Sequence, residues 1–283
     1  MSSVYITKSD GVHEPFAIEK LIASLKRAGA TAPVAESVAH DIERDIWPGI
    51  STREIYARAF SLLREHKKVV ASRYSLKRSL MEFGPSGFPF EMYIAELFRA
   101  EGFTAEVGQI IQGACVEHEV DVIIHKKGET VYAEAKFHNT VGFKTDLKTV
   151  LYIQARIFDI REAHKNDSEA TRTITSGLVV TNTKFTDKAV QYAQCQGLSL
   201  LGWEHPGGAS LHDKIREHAL YPVTTLTTLS AREKMALLSK KVVLCSAVPE
   251  AGRVLAEAGV TGKRADQVFE EVGALCVPGK DIL

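Results

Sequence analysis

Polar and apolar positions follow three different rhythms along this chain. In residues 1–83 the opening "VYITKSDGVHEPF" alternates around Asp10-Gly11, a dipeptide that closes short hairpins. Helical periodicity then takes over, with Phe16, Leu21, Ile22 and Leu25 on one stripe. Further helices are predicted near 33–46, 51–66 and 69–83, the second of these capped by Ser51 or Thr52. The stretch "EFGPSGFP" at 82–89 is loop chemistry. Beyond it the pattern predicts a helix over 88–101, strands near 105–111, 119–126 and 130–137, and a long helix near 144–164. The strand "TITSGLVVT", the helix "TDKAVQYAQCQ" and the strand "LSLLGW" complete an αβββαβαβ order, with αβββαβ as its core. Pro222 and a run of threonines then introduce short helical patterns in "KMALLSKKVVLC" and "ADQVFEEVGAL". The expectation is a multidomain α/β chain: 1–83 a small hairpin plus helices, 88–222 a sheet domain, 223–283 a helical module.

Composition adds boundaries rather than a function. The 283 residues are 45% apolar, enough for two or three cores. Lys+Arg and Asp+Glu are both 35, so nucleic acid must be argued from local patches. No apolar run approaches the roughly 18 residues that span a bilayer, and the start predicts no secretory leader, so no membrane partner is expected. Cys115, Cys195, Cys245 and Cys276 are scattered without a CxxC, which predicts reduced thiols in a cytoplasmic protein.

The chemistry concentrates in "VDVIIHKKGETVYAEAKF", residues 120–137. If Lys127-Gly128 closes a hairpin, Lys126 pairs with Glu129 and Asp121 falls opposite Glu134. Strand alternation puts Lys136 on the face of Glu134. Two carboxylates this close call for a cation, and oxygen donors favour Mg²⁺ or Mn²⁺. Such an ion acidifies a bound water, and a neighbouring lysine can orient that water, which suits phosphodiester hydrolysis. The alternative is a surface hairpin carrying an ion-pair cluster, although Val120, Val122, Ile124, Ala133 and Ala135 frame these residues with apolar surface.

"GFPFEMYIAELFRAEGF", "EVDVI" and "YAEAKF" together resemble the Mrr-like branch of the PD-(D/E)xK nucleases over about 88–205. The resemblance implies a restriction-endonuclease-like core. It carries the family's Asp to Asp121 and its ExK to Glu134 and Lys136, with Asp121, Glu134 and the carbonyl of Ala135 as metal donors. Val120 stands where a proline sometimes occurs. The family's helix acid falls on Glu91, which borders the apolar stripe of Phe90, Ile94, Leu97 and Phe98, whereas Glu96 lies on the solvated side. A glutamine often found on the next helix corresponds to Gln154. His138 and Lys144 follow the ExK strand and could reach substrate phosphates.

"VYITKSDGVHEPFAIEKLIASLKRAG", with "GISTREIYARAFSLL" and "RYSLKRSL", resembles the ATP-cone over about 1–83. That resemblance implies ATP or dATP as an allosteric ligand, contacted by Lys8, Glu14, Lys20 and Thr52. Ser9 and Ala17 depart from common choices, and there is no Walker-type glycine loop, so nucleotide hydrolysis is not implied. "AGVTGKRADQVFEE" resembles a helix-hairpin-helix element, with Lys263 and Arg264 placed for DNA phosphates and Thr261 where a second glycine is usual. Together these resemblances imply a Mg²⁺-dependent endonuclease acting on DNA under nucleotide control, working as a homo-oligomer. The alternative is a non-catalytic nucleotide sensor that binds nucleic acid on a nuclease fold.

Overall fold

The computed structural model describes residues 4–9, 11–126, 128–140, 142–165 and 176–276. Asp10 and Lys127, on which the two predicted hairpin turns rest, lie outside them, as do 173–175 of the predicted fourth strand.

The N-terminal part opens with the antiparallel pair β1 (Tyr5–Thr7) and β2 (His13–Pro15). Helices α1 (Ile18–Arg27), α2 (Ala32–Asp45) and α3 (Thr52–His66) follow. Leu25, Ala35, Val38, Ala39, Ala59 and Leu63 make their shared core. Helix α3 starts at a capping box, in which Ser51 accepts from the Glu54 amide and Glu54 reaches back to the Ser51 amide.

The helix predicted over 69–83 is two helices, α4 (Lys68–Tyr74) and α5 (Leu76–Met81). Serine hydroxyls divide it. Ser75 donates to the Ser72 carbonyl at 2.8 Å and Ser79 to the Ser75 carbonyl at 3.1 Å, bonds that compete with the helix ladder.

The central part begins with α6 (Phe88–Ala100), continues through β3 (Thr104–Gln112), β4 (Glu117–Lys126), β5 (Glu129–Lys136) and a short β6 (Lys144–Thr145), and reaches α7 (Leu147–Ala163). Strand β7 (Ser176–Thr181), a short β8 (Lys184–Phe185), α8 (Asp187–Gln196), β9 (Ser199–Leu201) and α9 (Leu211–Glu217) complete it. The five-stranded sheet has the order β3-β4-β5-β7-β9, antiparallel through β5 and parallel beyond it. The β6–β8 pair and α9 are additions to the predicted order.

The hairpin register pairs Lys126 with Glu129 and Val122 with Ala133, as the turn position predicts. The β3–β4 ladder contains a feature that alternation alone does not predict. Ala105, Val122 and Ile124 pack toward α6, whereas Ile111 and Val120 pack toward α7. Both strands therefore exchange faces between these residues. The register places Gly108 opposite Asp121 at that point, and Gly108 takes a φ of 65°.

The remaining chain forms α10 (Ala231–Ser239), α11 (Gly252–Glu257) and α12 (Lys263–Leu275). It does not stand apart. Leu237, Val248, Leu255 and Val272 share one core with α5 and α6 and the adjoining sheet face. The Glu271 carboxylate fixes this junction, accepting from the amides and hydroxyls of Thr227 and Thr228 at 2.7–2.9 Å and from the Ser72 hydroxyl at 3.1 Å. No described helix is long and apolar enough to cross a membrane.

Candidate active site and nucleotide contacts

Asp121 occupies the face exchange of β4. There the β4–β5 ladder has stopped, and the Asp121 carboxylate accepts the Ala135 amide at 2.8 Å. Glu134, one residue earlier on β5, points to the α7 face and is only 2% exposed. Lys136 lies on the same face and donates to Glu134 Oε1 at 2.5 Å. The Tyr132 hydroxyl donates to Glu134 Oε2. Arg156, from α7, donates to the same oxygen at 2.6 Å and with its other terminal nitrogen to the Glu119 carbonyl. Glu134 is thus buried with two cations and a hydroxyl on its two oxygens, the arrangement that a buried carboxylate requires.

Asp121 and Glu91 are less well compensated. Burial and the Glu134 charge raise Asp121 to about 6, against the opposing pull of the Ala135 amide, Lys136 and Arg156. Burial raises Glu91 to about 7, helped by Asp121, Glu119 and Glu134 and opposed by Lys136. Glu91 is in the first turn of α6, its carboxylate folded back toward Gly87. Glu96 instead pairs with Arg99 at 2.6 Å on the solvent side. The structure therefore brings Glu91, Asp121, Glu134 and Lys136 into one electrostatic cluster. Among the described residues, no group of three or more His, Cys, Asp or Glu side chains stands at metal-binding spacing. The available donor set is two carboxylates with one main-chain carbonyl, and the raised Asp121 is the feature that suits a divalent cation.

Gln154 is not brought to Glu134 by any hydrogen bond; its Oε1 is buried and has no partner among the described residues. The α7 side chain that does reach the cluster is Arg156. Its signal lay in the sequence: it falls within the stripe of Val150, Ile153, Ile157 and Ile160, and an arginine in an apolar stripe needs a carboxylate. Past Lys136, His138 is held by the Asn182 side chain, whose Oδ1 accepts its amide at 2.9 Å and whose amide group donates to its carbonyl at 2.7 Å. Burial and the Lys136 charge lower the His138 imidazole. Lys144 is exposed.

In the N-terminal part, Glu14 stands between Lys8 at 2.8 Å and Lys20 at 3.6 Å. The Thr7 amide bonds the Ile50 carbonyl, which sets the start of α3, and with it Thr52, beside β1. All four predicted nucleotide residues thus come from adjoining elements, and the lysines are well exposed, at 42% and 71%. At the other end of the chain Lys263 is exposed, whereas Arg264 grips Glu233 through two bonds of 2.8 and 3.0 Å. That grip holds the Glu233 carboxyl down at about 2. Gly259 and Gly262 in the preceding turn both have positive φ.

Comparison with known proteins places these parts. Residues 4–82 match the ATP cone domain, residues 85–204 the restriction endonuclease domain of the Mrr type, and residues 221–276 the AF1548-like C-terminal domain. An uncharacterized protein of Archaeoglobus fulgidus is 35% identical over 179 residues, which are 63% of this chain and 97% of that protein. The crystal structure of AF1548, a protein of unknown function, superposes with a TM-score of 0.56 at 31% identity, covering 68% of this chain and 98% of that one. The restriction endonuclease MspJI, solved with a 27-mer oligonucleotide, gives a TM-score of 0.35 at 17% identity over 71% of this chain and 39% of its own, a likeness too loose to bear on function. The chain belongs to the family of the Archaeoglobus protein, and within it joins an ATP-cone to an Mrr-type restriction endonuclease domain and an AF1548-like C-terminal domain.

Proposed function

We propose that this protein is a Mg²⁺- or Mn²⁺-dependent endonuclease that hydrolyses DNA phosphodiester bonds, with ATP or dATP at the cone as its effector. The observation that carries the reading is the raised pair Asp121 and Glu91 beside Glu134 and Lys136. Acids held above their ordinary range at one strand end are a site that gains by taking up a cation. Asp121, Glu134 and the Ala135 carbonyl would hold the ion, which supplies Lewis acidity toward a phosphate oxygen and a more acidic water. Lys136 would leave Glu134 and orient the attacking water. Glu91 would take a proton from that water or position it. Gln154 would use its unpaired carbonyl oxygen on the same helix that supplies Arg156. Lys8, Lys20 and Thr52 would contact the effector phosphates, with Glu14 fixing both lysines. The effector changes activity only to the extent that it binds two states unequally. Lys263 would meet DNA backbone, joined by Arg264 if it releases Glu233. A homo-oligomer and a cytoplasmic setting belong to the same proposal.

One observation favours the second reading, a non-catalytic sensor that binds nucleic acid. Glu134 is fully engaged by Arg156, Tyr132 and Lys136 without any added cation. Cleavage of plasmid, linear, single-stranded and branched DNA with Mg²⁺ or Mn²⁺, with and without ATP and dATP, separates the readings. Metal-dependent cutting that falls at least ~100-fold in Lys136→Ala supports the nuclease. DNA binding with no cutting on any substrate supports the sensor.

A further inference from the structure

Outside both sites, a surplus of positive charge lies where three parts of the chain meet. Helices α3, α5 and α10, with the turn before α10, enclose a cleft of about 320 Å³. Arg64, Arg78 and Lys234 line it, and Glu82 is its one acid. That carboxylate is shared loosely, 3.7 Å from Arg78 and 3.9 Å from Lys234. Arg64 has no ion pair among the described residues. Lys234 is enclosed, its side chain only 15% exposed. Thr225 also lines the cleft; it is 1% exposed, and its hydroxyl is buried without a hydrogen-bond partner.

Two of these features cost stability, the enclosed Lys234 charge and the orphan Thr225 hydroxyl, whereas Arg64 and Arg78 keep much of their solvent. An orphan buried hydroxyl costs ~1–3 kcal/mol, and enclosed cations are disfavoured unless their charge is met. An anion with several acceptor oxygens would meet the Lys234 charge together with those of Arg64 and Arg78. Two guanidinium forks and an ammonium suit phosphate oxygens. The volume is at the small end for ligand pockets. We propose that this cleft, separate from the cone hairpin and from the nuclease site, binds a small phosphate-bearing anion. The ligand would fasten the cone helix α3 to α5 and to the C-terminal α10.

The test uses the full chain carrying Lys8→Ala and Lys20→Ala, which removes both lysines proposed to contact phosphates at the cone hairpin. Calorimetric titration with inorganic phosphate, pyrophosphate and ATP should give saturable binding by at least one of them. Equal affinity for pyrophosphate and ATP assigns recognition to the phosphates alone, whereas tighter ATP binding assigns it to a nucleotide. Adding Arg64→Gln, an exposed position whose change leaves the fold intact, should weaken that binding at least tenfold. Thr225→Val serves as the control: it should raise the thermal midpoint by removing the orphan hydroxyl and leave anion affinity unchanged. The proposal is overturned if none of the three anions binds, or if Arg64→Gln leaves their affinity unchanged.

Discussion

The nuclease sheet and the C-terminal junction both bury carboxylates, and they treat them in opposite ways. At the junction, Glu271 receives four bonds from Thr227 and Thr228 and one from Ser72. Burial pushes its carboxyl up, but those donors prevail and hold it below its ordinary value. In the sheet, Asp121 has a single amide donor and a like charge beside it, and it is driven up to about 6. Burial is common to both. Donor supply is what separates a carboxylate that holds the fold together from one that the fold leaves seeking a cation.

If that contrast is right, neutralising each acid should act in opposite directions. On the proposed nuclease reading, Asp121→Asn should lower DNA cleavage at least ~1000-fold, since it removes a carboxylate proposed to hold the ion. The same variant should melt higher than the parent in metal-free buffer. The sign follows from the raised folded-state value: the parent loses stability as pH rises from 3.8 through about 6, while asparagine carries no charge to disfavour. Melting curves at pH 4, 6 and 8 with EDTA check this, and a lower midpoint for the variant at pH 8 would break the comparison.

Glu271→Ala should do the reverse, leaving the donors of Thr227 and Thr228 buried and costing ~3 kcal/mol, measured by urea unfolding. Because the folded-state value is depressed, the Glu271 contribution is present above its ordinary 4.5 and is lost as pH falls below it. Acid unfolding of the parent should therefore lose this difference from Glu271→Ala below pH 4.

The smallest effect sharpens the geometry. Gly108→Ala should cost about 1 kcal/mol, from backbone alone, because nothing stands within 4 Å of the added carbon. Its cleavage rate should fall more than the stability loss explains, since the strand opposite carries Asp121. A change equal to that at Gly128→Ala, in the hairpin turn, would mean that the face exchange does not position the site.

Much of this was legible in the chain and some was not. The turn at 127–128 predicts the hairpin register, because a two-residue loop leaves one pairing that keeps the apolar face inward. The carboxylates and Lys136 could be gathered from alternation and from the family motif. The exchange of faces at Gly108 was only half readable, because a glycine inside a strand often marks a bulge but does not say which way the strand turns. Arg156 was readable as a charge within an apolar stripe, but the motif drew attention to Gln154, two residues earlier. The Glu271 junction was hidden because its partners lie 43, 44 and 199 positions earlier in the chain, with no local pattern linking them.

That last separation has a consequence for how the molecule comes into being. As the chain emerges during synthesis, the cone core can close early, since the buried residues that form it lie between positions 6 and 71. Ser72 and the α4–α5 joint must wait for a carboxylate 199 residues later. Until α12 arrives, the face of α4 that it packs against is uncovered. Helix α12 thus closes a junction that the earlier chain cannot close by itself, and a chain interrupted before it would leave that apolar surface unburied.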